Sequence, residues 1–344
     1  MAKDTLVAVD LAKSVFEVAV SNHPGQVAKQ RRYSRRQFPL VLAQLPPATV
    51  VMEACGSAHF WARRIQSLGH EAVLLPPHAV RPYVRRNKTD RTDTKGMLEA
   101  YRNEEIRHVP VKSVAQQTLA SLHRIRSGWL AERTARINTL RGLLREFGIL
   151  IPLGAHHAVP TAWAQLEDAE SEVPDPLRPA LAEICSEIRD LERRIKMIEH
   201  QLAALAAQTP VVAQLMTIPG IGLLIATALV AFVGDIQRFP SARHFASYLG
   251  LTPRENSTGL RRRLGSISKK GDVYLRTMLI HGARSVLLAA KRRSPDRLRA
   301  WALAREKARG HNKAANKLAR IVWAVWKHDR PFQSVPDLAQ ADRA

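Results

Sequence analysis

The chain has 344 residues, and its 53 Lys and Arg against 30 Asp and Glu give a formal net charge of +23. Because 46% of the residues are hydrophobic, the chain should fold around a sizeable core, and its charge predicts a polyanionic partner. Two cysteines and no apolar run near the roughly 18 residues of a membrane span exclude a disulfide scaffold, a zinc ribbon and a membrane protein. We therefore expect a cytoplasmic protein that binds nucleic acid, with an anionic membrane surface as the weaker alternative partner.

The first 110 residues predict an α/β domain. Short apolar, β-branched runs predict strands at 5–9, 15–20, 49–52 and 71–75. Helices are predicted at 57–68 and 89–101, the second with Thr89 as its N-cap. Strands that alternate with helices indicate a layered α/β fold.

The next region, 111–208, is predicted to be a long helical arm. Helices are expected at 119–150 and from 177 onward, with a proline-containing linker at 151–175 between them. Apolar residues of the second helix are alternately four and three apart, at Leu177, Leu181, Ile184, Ile188, Leu191, Ile195, Ile198, Leu202 and Leu205. This a/d seam is typical of a coiled coil. It could serve a dimerisation arm or an internal hairpin packed on 119–150.

Residues 209–330 predict a mainly helical, strongly basic third domain, followed by a tail at 331–344. Between Arg254 and Lys327 the sequence has 20 Lys and Arg but only four acids, Glu255, Asp272, Asp296 and Glu306. A solvated helix face normally interleaves acids with its bases. The near absence of acids therefore favours phosphate binding over an ordinary charged surface.

Four acidic residues stand where carboxylates can converge. Asp10 and Glu53 each end a predicted strand, and Asp90 and Asp93 are three apart on one helix face. Converging carboxylates repel one another unless a cation neutralises them, and their hard oxygens suit Mg²⁺ or Mn²⁺. Each acid alone has another explanation, since Asp10 could be a turn residue and the helical pair could complement the helix dipole.

The sequence Ile218-Pro-Gly-Ile-Gly222 lies between apolar helical flanks. This pattern is typical of a helix-hairpin-helix, in which Gly220 and Gly222 would let the backbone approach a DNA phosphate. An ordinary apolar helical hairpin is the alternative.

A third segment combines small hydroxyl residues, glycines and cations between Asn256 and Gly271. Its hydroxyls could hold a phosphate, or attack one if a base or a metal activates them. From spacing alone, a turn that only contacts the DNA backbone is the preferred interpretation. The candidate phosphate-binding cations in this segment and just after it are Arg261, Arg262, Arg263, Lys269, Lys270 and Arg276.

Taken in order, these motifs resemble the DEDD-type transposases of bacterial insertion sequences, recombinases described as guided by a bridge RNA. The resemblance covers nearly the whole chain. It rests on Val7–Asp10, Val51–Glu53, Lys88–Asp93, Ile218–Gly222, Tyr248–Pro253, Ser257–Gly259, Ile267–Gly271 and Tyr274–Arg276.

The resemblance implies a RuvC-like (RNase H-fold) N-terminal domain whose acids Asp10, Glu53, Asp90 and Asp93 bind Mg²⁺. It also implies a C-terminal serine that attacks DNA and leaves a covalent phosphoserine intermediate; by position this is Ser257. Many relatives have Ser-Gly where this chain has Ser-Thr-Gly, so Thr258 is the alternative nucleophile, and Ser266 and Ser268 are nearby. Ser257 is preferred because threonine is the poorer, β-branched nucleophile.

The same resemblance implies donor DNA, target DNA and a bridge non-coding RNA as partners. It further implies a homodimer that assembles into a tetramer, with the active site shared between subunits. Two other functions stay open. A RuvC-like junction endonuclease would use metal-activated water and need no serine, and a non-catalytic nucleic-acid-binding protein would need neither the acids nor the serine.

Overall fold

The computed structural model describes residues 5–22, 26–84, 89–259, 261–292, 296–309 and 312–333. Lys88 and most of the predicted tail, from 334 onward, lie outside the described residues. The chain folds into two compact units, Met1–Ala115 and Gln116–Ala344. None of the helices in the described ranges combines the length and the apolar character needed to cross a bilayer.

The N-terminal unit has the mixed α/β architecture expected from its sequence. Its elements are β1 (Thr5–Leu11), β2 (Val15–Ser21), β3 (Lys29–Ser34), α1 (Gln37–Ala43), β4 (Ala48–Glu53), α2 (Ala58–Ser67), β5 (Glu71–Leu75), α3 (Pro77–Val80) and α4 (Asp90–Tyr101). Five strands among the described residues form one sheet in the order β3-β2-β1-β4-β5. The β1–β2 and β2–β3 pairs are antiparallel, whereas β1–β4 and β4–β5 are parallel.

The two faces of this sheet carry separate cores, because successive side chains of a strand point to opposite faces. On one face, Phe16, Phe38 and Trp61 pack edge to face, with ring centroids 5.0–5.5 Å apart. On the other face, Ala8 of β1 packs in a cluster that includes Met97 of α4. Since Asp10 lies two residues after Ala8, its side chain belongs to the α4 face.

The second unit is mainly helical. Its elements are α5 (Val114–Glu146, entering from the first unit), α6 (Ala158–Glu167), α7 (Arg178–Ala207), α8 (Pro210–Met216), α9 (Leu223–Val233), α10 (Ala242–Tyr248), β6 (Pro253–Glu255), β7 (Leu264–Ile267), α11 (Val273–Ala290), α12 (Arg297–Arg309) and α13 (Asn312–Lys327). The linker predicted at 151–175 contains α6. Its Pro160 stands in the first turn, where proline is compatible with a helix.

The heptad seam of α7 packs inside the chain. Leu181 and Ile188 share a buried cluster with Leu140 and Leu144 of α5. Ion pairs between the two helices run in antiparallel order, from Arg126–Glu199 at 2.7 Å to Arg133–Glu192 at 3.6 Å and then Arg136–Glu187. This packing corresponds to the internal-hairpin alternative. Because the seam is buried against α5, it cannot also form the dimerisation surface considered from sequence.

The helical arm and the C-terminal region share one core. Leu202 at the end of α7 belongs to the same buried cluster as Leu215 of α8, Leu229 of α9, Leu279 of α11 and Leu318 of α13. Helix α9 is apolar on nearly every side and lies at the centre of this packing. The boundary predicted at residue 208 therefore does not separate two cores.

Candidate active-site residues

Asp10 and Glu53 lie side by side at the carboxyl ends of neighbouring parallel strands. The β1–β4 register pairs Val9 with Met52, so the next residues along each strand are Asp10 and Glu53. Loss of hydration, followed by the negative charges of Glu53 and Asp10, raises the pKa of the Cys55 thiol. The charges of both carboxylates therefore reach the Cys55 thiol, which places them close together at this edge of the sheet.

A further carboxylate, Glu17, lies across from Asp10, and the sequence did not single it out. The β1–β2 register pairs Asp10 with Glu17, and the β2–β3 register pairs Glu17 with Arg32. Directly paired residues share a face of a sheet, so all three side chains lie on the α4 face. Glu17 is only 6% exposed. The sequence feature that could have revealed this residue is an acid within the otherwise apolar run of β2.

Arg32 connects this edge of the sheet to the start of α4. Its Nε lies 2.9 Å from Glu17 Oε2, and its Nη2 lies 3.5 Å from Asp90 Oδ2. Gln30, on the same strand, donates a 2.9 Å hydrogen bond to Thr94 Oγ1 of α4. These contacts place the first turn of α4 over β2 and β3.

The N-terminus of α4 is built as the sequence predicts. Thr89 is the N-cap, and its Oγ1 accepts a 3.3 Å hydrogen bond from the Thr92 backbone N–H. The Thr92 hydroxyl in turn accepts from the Thr89 N–H at 2.9 Å, which completes a capping box. Asp90 and Asp93 both lie in the first turn. There they complement the helix dipole, so this explanation for them stays open beside metal binding.

The four predicted acids do not assemble into one metal-binding group. Within the described ranges, no three His, Cys, Asp or Glu side chains are clustered so that they could hold a metal ion. Asp10 and Glu53 lie together, whereas Asp90 is drawn to the guanidinium of Arg32. The donor chemistry itself fits Mg²⁺ or Mn²⁺, because adjacent carboxylate oxygens are the ligands these ions prefer.

Ser257 lies on an exposed β-hairpin formed by β6 and β7. The pairing continues beyond the named strands, with a 2.9 Å hydrogen bond from the Asn256 N–H to the Arg263 carbonyl and a bridge between Thr258 and Arg261. Thr258 contributes to this pairing through its backbone. Gly259, at the turn, has φ +52°. The sequence did not predict this hairpin.

The hydroxyl of Ser257 takes part in a small polar network. It donates to Glu255 Oε1 at 2.8 Å and accepts from the Arg263 backbone N–H at 3.2 Å. Arg262 Nε donates to the same Glu255 oxygen at 3.1 Å. The hydrogen bond from Ser257, and then the hydrogen bond and charge of Arg262, lower the pKa of Glu255. Glu255 is therefore ionised at neutral pH.

The predicted phosphate-binding cations fall into two groups. Arg261, Arg262 and Arg263 on the hairpin, and Lys269 and Lys270 after it, are exposed. Arg276 is only 7% exposed, and its Nη1 donates at 3.4 Å to the carbonyls of Leu249 and Gly271. Burial against these carbonyls does not suit the phosphate contact predicted for Arg276. Its guanidinium instead holds the loop that carries the two lysines.

The two glycines of the Pro-Gly-Ile-Gly turn have different surroundings. Gly220 has φ +84°, and a Cβ there would lie 2.5 Å from the carbonyl oxygen of Gly282 in α11. This glycine is therefore required for the close packing of the α8–α9 turn against α11, which the phosphate interpretation did not foresee. Gly222 is exposed at the N-cap of α9, with nothing within 4 Å of a Cβ built there. Of the pair, Gly222 is the one open to a ligand.

A sheet edge with adjacent carboxylates, in one chain with a basic helical unit, is compatible with an enzyme that processes DNA, and similarity to known families identifies the class as transposase. The sequence-family model of IS110-type DEDD transposases matches residues 7–149. The model described as "Transposase IS116/IS110/IS902 family" matches residues 212–299. The chain belongs to this IS110/IS116 family of insertion-sequence transposases, which confirms the resemblance at the level of the family.

Curated relatives match along almost the whole chain. A probable family 20 transposase of Pseudomonas aeruginosa is 41% identical over 335 residues, covering 95% of this chain and 98% of the relative. The transposase for insertion sequence element IS1111A of Coxiella burnetii is 36% identical, covering 95% and 91%. The transposase for IS1328 of Yersinia enterocolitica is also 36% identical, covering 93% and 96%.

Proposed function

We propose that this transposase is a Mg²⁺-dependent recombinase that cuts and rejoins donor and target DNA through a covalent phosphoserine on Ser257. The observation that carries the proposal is the hydrogen bond from the Ser257 hydroxyl to an ionised carboxylate on an exposed, arginine-rich hairpin. A serine held in this way, beside cations that attract phosphate, has the surroundings that a nucleophile needs.

The N-terminal unit supports the RuvC-like part of the proposal. Its strand order, with an antiparallel β3-β2-β1 half and a parallel β1-β4-β5 half, is the order expected of an RNase H-like domain. Asp10 and Glu53, which lie together, would hold the divalent ion, and Asp90 and Asp93 would have to approach them from the first turn of α4 to complete the proposed set of ligands. When bound, the ion would stabilise negative charge on the leaving oxygen. Mn²⁺ would serve in place of Mg²⁺.

The hairpin and the following loop would grip the DNA backbone. Arg261, Arg262 and Arg263 lie at the hairpin tip with Ser257, and Lys269 and Lys270 follow at its base. Such contacts are electrostatic and independent of base sequence. Gly222, exposed at the start of α9, would add backbone N–H contacts to a phosphate.

Sequence selection would come from a bridge non-coding RNA that pairs with donor and target DNA. The protein would then recognise backbone and shape, for which a net charge of +23 is suitable. Assembly of homodimers into a tetramer would bring the two DNA duplexes together, and the reaction would take place in the cytoplasm on the bacterial nucleoid. Removal of the co-purifying RNA by ribonuclease should abolish site selection and leave general DNA binding.

The test of the serine mechanism uses the full-length protein with its co-purifying RNA, Mg²⁺ and labelled target DNA on a denaturing gel. Wild type should give a slow protein–DNA band that both Ser257→Ala and Asp10→Asn lose. Thr258→Val is the matched control and should keep the band. Loss of the band in Thr258→Val, but not in Ser257→Ala, would transfer the nucleophile to Thr258.

A junction endonuclease is the second candidate, because the adjacent Asp10 and Glu53 could support hydrolysis by a metal-activated water. Cleaved DNA without an adduct, undiminished in Ser257→Ala, would establish that function. Full activity of Asp10→Asn would instead indicate a non-catalytic nucleic-acid-binding protein.

A further inference from the structure

We propose that Glu255 is the general base that accepts the proton of Ser257 during attack on the scissile phosphate. The inference rests on the serine mechanism proposed above and adds a residue to it. It is drawn from the way that the β6–β7 hairpin brings Glu255, Ser257 and Arg262 together.

Strand geometry explains why these three side chains meet. Glu255 ends β6, and Ser257 lies two residues further along the paired segment that continues it, so their side chains lie on the same face of the hairpin. Asn256 bonds to Arg263, and Thr258 pairs with Arg261, so Ser257 lies across from Arg262. Cross-strand neighbours also share a face. Arg261 and Arg263 point to the opposite face for the same reason.

The hydrogen bonds orient the Ser257 hydroxyl for nucleophilic attack. Its proton is directed to Glu255 Oε1 at 2.8 Å, within the range of an O–H···O⁻ hydrogen bond. One oxygen lone pair accepts from the Arg263 N–H at 3.2 Å. A hydroxyl oxygen has two lone pairs, so the second one is left to attack phosphorus.

Arg262 keeps Glu255 ready to accept a proton. Its Nε lies 3.1 Å from the carboxylate oxygen that also binds Ser257, and both side chains are about half exposed. The ion pair keeps the carboxylate ionised before attack. It also weakens the base, so proton transfer accompanies formation of the bond to phosphorus, when the serine oxygen becomes more acidic.

The other acids of this basic stretch have structural contacts. Asp272 caps α11 by accepting from the Leu275 N–H at 2.8 Å. Asp296 forms an ion pair with Arg299, and Glu306 forms one with Lys291. Glu255 differs from them because it contacts the predicted nucleophile.

Atoms and electrons balance in the proposed step. The Oγ–P bond forms as the Ser257 O–H bond breaks, and the proton moves to Glu255. The bond from phosphorus to the leaving sugar oxygen breaks, and that oxygen keeps the electron pair and takes a proton from water. In rejoining, a sugar hydroxyl attacks the phosphoserine and gives its proton to water, while Glu255 returns its proton to Oγ.

The experiment measures the rate of adduct formation by the full-length protein with its co-purifying RNA. Glu255→Gln keeps the shape and removes the base, so the rate should fall roughly 10²- to 10⁴-fold while DNA affinity stays nearly the same. Glu255→Asp should recover part of the rate, and added formate should partly restore Glu255→Ala but not Ser257→Ala. Glu306→Gln removes the same charge from the same basic region and should react at the wild-type rate.

The pH dependence separates a base from a merely structural residue. Wild type should react at a nearly constant rate around neutral pH, because Glu255 is already ionised there. The residual rate of Glu255→Gln should rise with pH, since hydroxide must take over the proton. A wild-type rate in Glu255→Gln, with Ser257→Ala inactive, would overturn the role of Glu255 and leave the serine mechanism intact. An adduct formed equally by Ser257→Ala would overturn both.

Discussion

Acid should destabilise the second unit through one buried histidine. His123 of α5 is 1% exposed, and its ring nitrogens lie 2.9 Å from the Tyr274 hydroxyl and 3.0 Å from Thr227 Oγ1. Burial, and then the charge of Arg126, lowers the pKa of His123 from 6.5 to about 4. The imidazole is therefore neutral in the folded protein at neutral pH, and it joins α5 to α9 and α11.

The sign and size of the effect follow from proton linkage. Below pH 6.5 the unfolded chain binds a proton at this histidine, whereas the folded chain does so only near pH 4. The free energy of unfolding therefore falls as the pH drops through this window, and it levels off below it. At roughly 1.4 kcal/mol per pKa unit, the total loss is about 3 kcal/mol.

Urea unfolding of wild type and His123→Gln between pH 7.5 and pH 4 measures this loss. Carboxylates titrate in both proteins, so the difference between their plots of the free energy of unfolding against pH isolates the contribution of the histidine. Glutamine can still form hydrogen bonds with Tyr274 and Thr227 but does not titrate. His200→Gln makes the same replacement at an exposed histidine of α7 and is the matched control. Equal pH slopes in wild type and His123→Gln would refute the reasoning.

Two further predictions separate packing from DNA binding. Gly220→Ala should lower the free energy of unfolding by about 2–4 kcal/mol, because its Cβ meets the Gly282 carbonyl in a positive-φ turn, while Gly222→Ala should change it little. Thermal unfolding of both variants checks this, and equal losses would contradict the close packing assigned to Gly220. Arg276→Ala should likewise destabilise the fold, whereas Arg261→Ala should keep the Tm and weaken binding to all DNA sequences alike. Melting curves measure the stability of both variants, and salt titrations measure their DNA binding. The reverse pattern would contradict the roles assigned to the two arginines.

The strands of the N-terminal unit were predictable where they are buried. The apolar runs predicted β1, β2, β4 and β5, and Thr89 was correctly predicted as the cap of α4. The edge strand β3 was missed, because Lys29, Arg31 and Arg32 give it a polar, exposed sequence. With β3 missing, the contact between Arg32 and the predicted ligand Asp90 could not be foreseen.

The arm shows a different limit of sequence patterns. The a/d seam of α7 correctly predicted a long helix, but the same seam serves an internal partner as well as a second chain. The partner is decided by contacts that a periodicity does not contain, such as the ion pairs from Arg126 to Glu199 and from Arg133 to Glu192. Contacts this far apart in sequence depend on the loop that reverses the chain.

The candidate site shows the same limit at closer range. Asp10 and Glu53 were correctly placed at strand ends, because a buried parallel strand reveals itself as an apolar run. The Ser257 hairpin consists of arginine, glycine and small polar residues, so it carries no strand signal. Its alternation nevertheless holds the needed information, since Glu255 and Ser257 share a face in an extended chain whatever else surrounds them.

Acids are scarce in this chain, and their positions distinguish chemistry from charge balance. Most of the surplus cations can bind phosphate without further arrangement, but bond breaking requires groups that accept protons or hold metal ions. Asp10 and Glu53 lie together at one sheet edge, and Glu255 lies against Ser257 on the hairpin. Arg32 and Arg262 each contact an acid beside these groups, at 2.9 Å from Glu17 and 3.1 Å from Glu255. Both units therefore place an arginine–carboxylate ion pair beside the groups that we propose to react.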